Sequence, residues 1–158
     1  MTNFAAPEMT TIDESEFNGR PAHPPLKTLV VEDDFASRHL LQTFLSRYGQ
    51  CHIAVNGREA VEAFRNAFSV GDRYDLICMD IMMPEISGRD AVLEIRAIEE
   101  AHGILSSGGA KIVMTTAVTD VAEVIRCFHG LCDAYLMKPI DLNLLLAQMK
   151  SYGLRNTL

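Results

Sequence analysis

Five times between Leu26 and Met149, a short apolar run gives way to a stretch whose apolar residues recur at helical spacing. The runs are Lys27–Val31, Cys51–Val55, Tyr74–Met79, Ile112–Thr115 and Ala134–Met137, each of a length that suits a strand. Phe35 to Tyr48 then carries Leu40, Leu41, Phe44, Leu45 and Tyr48 on a helix closed by Gly49. Asn56-Gly57 opens a second helix through Phe68, with Ala60, Val61, Phe64 and Phe68 on one face. Ser87 begins a third through Ala101, with Val92, Ile95 and Ile98 inward. Asp120 caps a fourth bearing Val121, Val124, Ile125 and Phe128, and Asp141 caps a fifth bearing Leu142, Leu145, Leu146 and Met149. Strict alternation of this kind calls for an α/β fold, a parallel sheet with helices on both faces. No segment repeats another, which argues against a solenoid.

The rest of the composition narrows the function. A chain of 158 residues, 48% of them hydrophobic, fits one domain with a substantial core. Residues 1–25 are polar, acidic and broken by Pro7, Gly19, Pro21, Pro24 and Pro25, and read as a flexible extension. The core domain is expected over 26–153, with 154–158 as a tail. A formal net charge of -7 and the lack of a Lys/Arg cluster disfavour a nucleic-acid backbone as partner. No apolar run approaches the roughly 20 residues that cross a bilayer, and no secretion signal is evident. Cys51, Cys78, Cys127 and Cys132 show neither CxxC nor zinc spacing. Reduced, buried thiols suit a cytoplasmic location.

The chemistry lies where the runs end. In open parallel sheets, ligands bind beyond the carboxyl ends of the strands. The first run ends in Glu32-Asp33-Asp34, the third in Asp80, the fourth in Thr115-Thr116-Ala117 and the fifth in Lys138-Pro139. Singly, each has an ordinary reading: Asp34 as a helix cap, Asp80 as a turn former, Thr116 as a strand-end residue and Lys138-Pro139 as a loop. Together they converge if the first and third strands are neighbours. Carboxylates brought so close repel unless a cation lies among them. Magnesium suits an all-oxygen site that keeps several waters. A carboxylate beside magnesium, with a lysine and a hydroxyl aimed at the same point, is equipped to receive a phosphoryl group.

These pieces, Val31-Glu32-Asp33-Asp34, Met79-Asp80-Ile81-Met82-Met83-Pro84 with Gly88, Met114-Thr115-Thr116-Ala117 and Tyr135-Leu136-Met137-Lys138-Pro139, resemble those of a response-regulator receiver domain, the CheY-like family of two-component signalling. The resemblance runs from Leu26 to about Gly153 and implies five strands in the order 2-1-3-4-5. It implies that Asp80 is the phospho-acceptor and Asp33 the direct magnesium ligand. Glu32 takes the companion acid position, and the backbone carbonyl of Met82 is a further ligand. Thr116 resembles the switch hydroxyl, Lys138 the cation that pairs with Asp80 or the phosphoryl group, and Tyr135 the aromatic switch. Pro139 matches a position where receivers commonly have a cis peptide. The donor implied is a histidine kinase or phosphotransfer protein, and the output is contact with a protein partner. A chemotaxis-like regulator, a phosphorelay component and a detached regulator subunit all fit, and a homodimer stays open.

The chain departs from the common receiver pattern in places. The loop 102–110 is longer than most receivers need, and reads as an inert insertion or a partner contact. Only Asp133 stands before Ala134 and the aromatic, where many receivers have two acids; this departs from the charged dimer interface of DNA-binding regulators. Met82 and Val118 occupy positions that tune attack of water on the acyl phosphate, and both are apolar, which points to slow self-hydrolysis. Leu144 lies off the apolar stripe of the last helix. A haloacid-type phosphatase needs a second Asp two residues beyond the first, where this chain has Met82. Nucleotide binding lacks both a Walker pattern and a GxGxxG after a strand. The protein is thus expected to be no enzyme beyond its own phosphorylation and dephosphorylation. The alternative is a receiver-like module that dimerises without phosphorylation.

Overall fold

The computed structural model describes residues 25–117 and 121–154. Residues 1–24 and 155–158 fall outside the described residues, as do Val118 and the cap expected at Asp120. Five strands alternate with five helices: β1 (Leu26–Val31), α1 (Phe35–Leu45), β2 (Gly49–Ala54), α2 (Gly57–Ser69), β3 (Leu76–Asp80), α3 (Gly88–Ala101), β4 (Lys111–Thr116), α4 (Val121–Phe128), β5 (Ala134–Met137) and α5 (Leu142–Ser151). The sheet order is β2-β1-β3-β4-β5, and every pairing is parallel. No helix among the described residues is long and apolar enough to cross a membrane.

The period of two along each strand sorts the core into two layers. Leu29, Val31, Ile77, Met79, Ile112 and Met114 face one layer with Phe64 of α2, Ile95 of α3 and Val124 of α4. Val30, Leu76, Cys78, Val113 and Leu136 face the other with Leu41, Phe44 and Leu45 of α1 and Leu145 and Met149 of α5. This parity also aims the functional residues. Glu32 and Asp80 each follow the last paired residues, Val31 and Met79, and inherit the parity of Val30 and Cys78. Thr116 and Tyr135 belong to the opposite parity.

Caps start the helices where polar side chains take up orphan N–H groups. Asp34 accepts from the Ser37 N–H at 2.8 Å, and Asn56 accepts from the Glu59 N–H at 2.8 Å. Glu59 returns the favour by accepting from the Val55 N–H at 2.9 Å. Ser87 and Asp141 cap α3 and α5 as expected.

Three local expectations need correction. Helix α1 stops at Leu45, and Gly49 begins β2 instead of closing the helix. A Cβ at Gly49 would overlap the Leu26 backbone, so the glycine permits close strand approach. Leu40 is 41% exposed and Ile125 is 44% exposed, although both were placed on inward stripes. In α1 the buried set is Leu41, Phe44 and Leu45; Leu40 lies about 100° of arc from Leu41, at the outer margin of that stripe beyond Phe44. Ile125 is likewise one residue beyond buried Val124.

The loop 102–110 is tied down by a buried ion cluster. Arg96 Nη1 donates to Glu99 Oε2 at 2.7 Å and to the Ala110 carbonyl at 2.9 Å, while its Nε donates to the Leu131 carbonyl at 2.9 Å. Glu99 Oε1 accepts from the Ala110 N–H at 2.8 Å. Asp133 Oδ2 accepts from Arg96 at 3.2 Å and from the Ile112 N–H at 2.8 Å. The single acid before the aromatic is therefore engaged inside its own fold. A side chain at Gly109 would overlap the Glu99 carboxylate.

Gly88 positions the end of β3. Its N–H donates to the Ile81 carbonyl at 3.0 Å, and an added Cβ would overlap the Asp80 carbonyl oxygen. Gly88→Ala is expected to destabilise the protein by at least ~2 kcal/mol, read as a lower urea midpoint at unchanged m-value. Stability equal to the native chain would show that α3 can slide away from β3 freely.

Candidate functional site

The sheet's carboxyl edge gathers four of the residues singled out from the sequence. Glu32 leaves β1 fully buried, and Asp80 closes β3 at 4% exposure. Lys138 follows β5, with its N–H donating to the Thr116 carbonyl at 2.8 Å. Its ammonium lies 2.7 Å from Glu32 Oε2 and 3.3 Å from Asp80 Oδ2. Asp33 is exposed, yet Glu32, Asp33 and Asp80 each offer an oxygen within 4.8 Å of the others. The Lys138–Pro139 peptide is cis.

The remaining expected residues surround this cluster. Thr116 ends β4 and is buried, one step beyond the Asp80–Thr115 pairing. Tyr135 is half-buried on β5. Thr116 and Tyr135 line one apolar groove of about 440 Å³ together with Val124, Met137, Pro139 and Leu144. Leu144, off the stripe as read from the sequence, is 55% exposed there. The Met82 N–H donates to Asp80 Oδ1 at 3.3 Å, and the residue is 68% exposed. Val118 falls outside the described residues.

The donor set fits a hard cation. Three carboxylates crowd one ammonium, so the cluster carries surplus negative charge even with Lys138 in place. Glu32 Oε1 accepts from the Asp34 N–H at 3.1 Å, but buried Oε2 meets the ammonium without a well-angled hydrogen bond. A buried oxygen left short of a hydrogen bond and all-oxygen donors at this spacing suit magnesium with some of its water retained.

The model of the response regulator receiver domain matches residues 28–150. The chain belongs to that family. Among relatives of this receiver, hybrid signal transduction histidine kinase I of Dictyostelium discoideum is 34% identical over 77% of the chain. The receiver spans 7% of that kinase's length. Among solved structures, the Ssk1 receiver domain of Saccharomyces cerevisiae, in complex with the histidine phosphotransfer protein Ypd1, is 29% identical. The match covers 82% of this chain and 90% of that one, with a TM-score of 0.70. The receiver domain of the Arabidopsis thaliana kinase CKI1, complexed with Mg2+ and BeF3-, is 26% identical over 82% of this chain and 91% of that one, with a TM-score of 0.68.

Sequence reasoning missed two arrangements in this receiver. Lys138 stands closer to Glu32 than to Asp80. Arg38, one turn into α1, donates to the carbonyls of Glu32 and Asp33. A cation four residues past the last acid of the triplet was the available signal.

Electrostatics single out Asp80. Burial and the neighbouring Glu32 charge push its carboxyl up to about 6 from the ordinary 3.8, against the pull of Lys138 and the Met82 N–H. Lys138 is raised as well: burial would lower it, but Glu32 and Asp80 together hold its ammonium above the usual range. For Asp80 the folded state binds the proton more tightly than the unfolded chain. Stability is therefore lost as pH rises from about 4 through about 6, and the penalty is complete above that window. Without divalent ions, Asp80→Asn is expected to stabilise the protein by about 1–2 kcal/mol near neutral pH. Urea melts across the pH range check this; the gain should shrink below about pH 5.

Proposed function

We propose that this receiver accepts a phosphoryl group on Asp80 from the phosphohistidine of a histidine kinase or phosphotransfer protein, and that the new charge alters a protein-binding face. One observation carries the reading: carboxylates from two strand ends meet within 4.8 Å, with the Lys138 ammonium between two of them. Asp33, Glu32, Asp80 and the Met82 backbone carbonyl would hold magnesium. The bound ion supplies positive charge for the equatorial oxygens of the transferring group.

The chain's own residues do the rest. An ionised Asp80 oxygen attacks phosphorus while the donor's phosphorus–nitrogen bond breaks, its electron pair staying on an imidazole that takes up a proton and leaves neutral. The other Asp80 oxygen keeps the Met82 N–H, which holds the nucleophile in line. Lys138, already 3.3 Å from Asp80, is in reach of the phosphoryl oxygens. Once its carboxylate partner is esterified, the ammonium has a stronger anion to follow. Thr116 moves its hydroxyl towards that anion. Tyr135, which lines the same groove, repacks into the space, and a partner reads the change at the groove. Like the free Cys51, Cys78 and Cys132 thiols, the reaction suits the cytoplasm.

The decisive experiment is labelling by a small phosphodonor, followed by intact mass. The native chain should gain one phosphoryl group only with magnesium present, and beryllofluoride should bind under the same condition. Asp80→Asn should lose both responses. Normal labelling of that variant at another residue would sink the assignment.

The exposed, apolar Met82 side chain offers a hydrolytic water no hydrogen-bonding partner beside Asp80. The phosphorylated form is accordingly expected to persist for minutes or longer. Decay within a few seconds, followed by loss of the phosphoryl mass, would count against this.

A further inference from the structure

We propose that Arg38 is a positioning residue for magnesium, acting on the main chain that carries Glu32 and Asp33 and not on the ion itself. The inference rests on the metal-site reading above and concerns how that site keeps its shape. One terminal nitrogen of the guanidinium, Nη1, donates to the Glu32 carbonyl at 3.0 Å and to the Asp33 carbonyl at 3.2 Å. Both carbonyls belong to the short link between β1 and α1. That link must bring a buried acid, an exposed acid and a helix cap into three successive positions.

The two ends of the link are already fixed. The Glu32 N–H donates to the Ala54 carbonyl at 3.1 Å, and the Asp34 carbonyl accepts the Arg38 N–H at 3.0 Å as α1 begins. Between them, no ion pair among the described residues fixes the exposed Asp33 carboxylate, so its aim follows its backbone. Pinning the carbonyls on either side of the Asp33 N–Cα–C unit restrains the dihedrals that set this aim. The guanidinium is itself held. It lies 5.6 Å from the Phe35 ring centroid, and that ring stacks on His39 with centroids 5.8 Å apart and planes 6° from parallel. This accounts for a phenylalanine that is 70% exposed at the edge of the site.

Magnesium affinity tests the role, because a residue that merely stabilises the fold would lower the melting temperature without moving the affinity. The native chain and Arg38→Met are titrated with magnesium chloride alone by calorimetry, and their ion-free melting temperatures are compared. Arg38→Met should bind the ion about 10-fold more weakly, at the low end of what losing a support around metal ligands costs. An affinity within twofold of native would overturn the inference while leaving the metal site standing. Arg38→Lys retains a donor of similar reach and guards against a Met variant that fails to fold; it should bind within about threefold of native. A lysine variant no better than Arg38→Met, or equally far below a native chain if Met does not fold, overturns the donor role. At about 0.5 M KCl, where charges beyond ~4 Å are largely screened, the Met defect should persist; its disappearance would reduce Arg38 to a distant charge and overturn positioning. If the native chain itself takes up no magnesium, the failure lies with the site reading, as an unchanged Asp33→Ala titration would corroborate.

Discussion

A single ammonium holds two buried carboxylates at the top of the sheet, and the arrangement of the site depends on that contact. Lys138 comes from the fifth strand, Glu32 from the first and Asp80 from the third. None of these groups would be tolerated alone at this depth. One cation cannot satisfy three acids, however, so the cluster keeps a deficit of positive charge. Burial and that deficit make Asp80 a reluctant anion, in a donor set that would suit a divalent ion. The neighbouring elements look built to maintain this tension: Gly88 lets α3 close on the end of β3, and Asp34 and Arg38 tie down the link that carries the acids.

Much of this was legible in the sequence because a parallel sheet imposes a simple rule. Apolar runs end where strands end, and whatever polar residue follows stands at the carboxyl edge. Asp80, Glu32, Thr116 and Lys138 were all found that way. Strand parity, also written in the sequence, separates Glu32 and Asp80 from Thr116 and Tyr135. The sheet order β2-β1-β3-β4-β5 is the one expected from the resemblance.

The misses share a cause, which is that side-chain reach is not written in spacing. Leu40 and Ile125 have apolar character but stand at the margins of their stripes, about 100° of arc from buried Leu41 and Val124, and are half turned to solvent. Gly49 looked like a helix stop because glycine serves both purposes; only the nearness of Leu26 distinguishes them. The Arg96–Glu99–Asp133 cluster joins residues from α3 and the approach to β5, and no local pattern marks a charge that will be buried. Arg38 is a milder case: its partners are carbonyls, and its place four residues past Asp34 was the one local cue.

The sorting of the core into two layers has a mechanical consequence. Asp80 and Glu32 share their parity with the layer beneath α1 and α5, while Thr116 and Tyr135 share theirs with the layer beneath α2, α3 and α4. A close-packed sheet lies between the layers and yields little. Any coupling between the two sides would therefore run over the rim, through loops, with the strands as a fixed anvil beneath them.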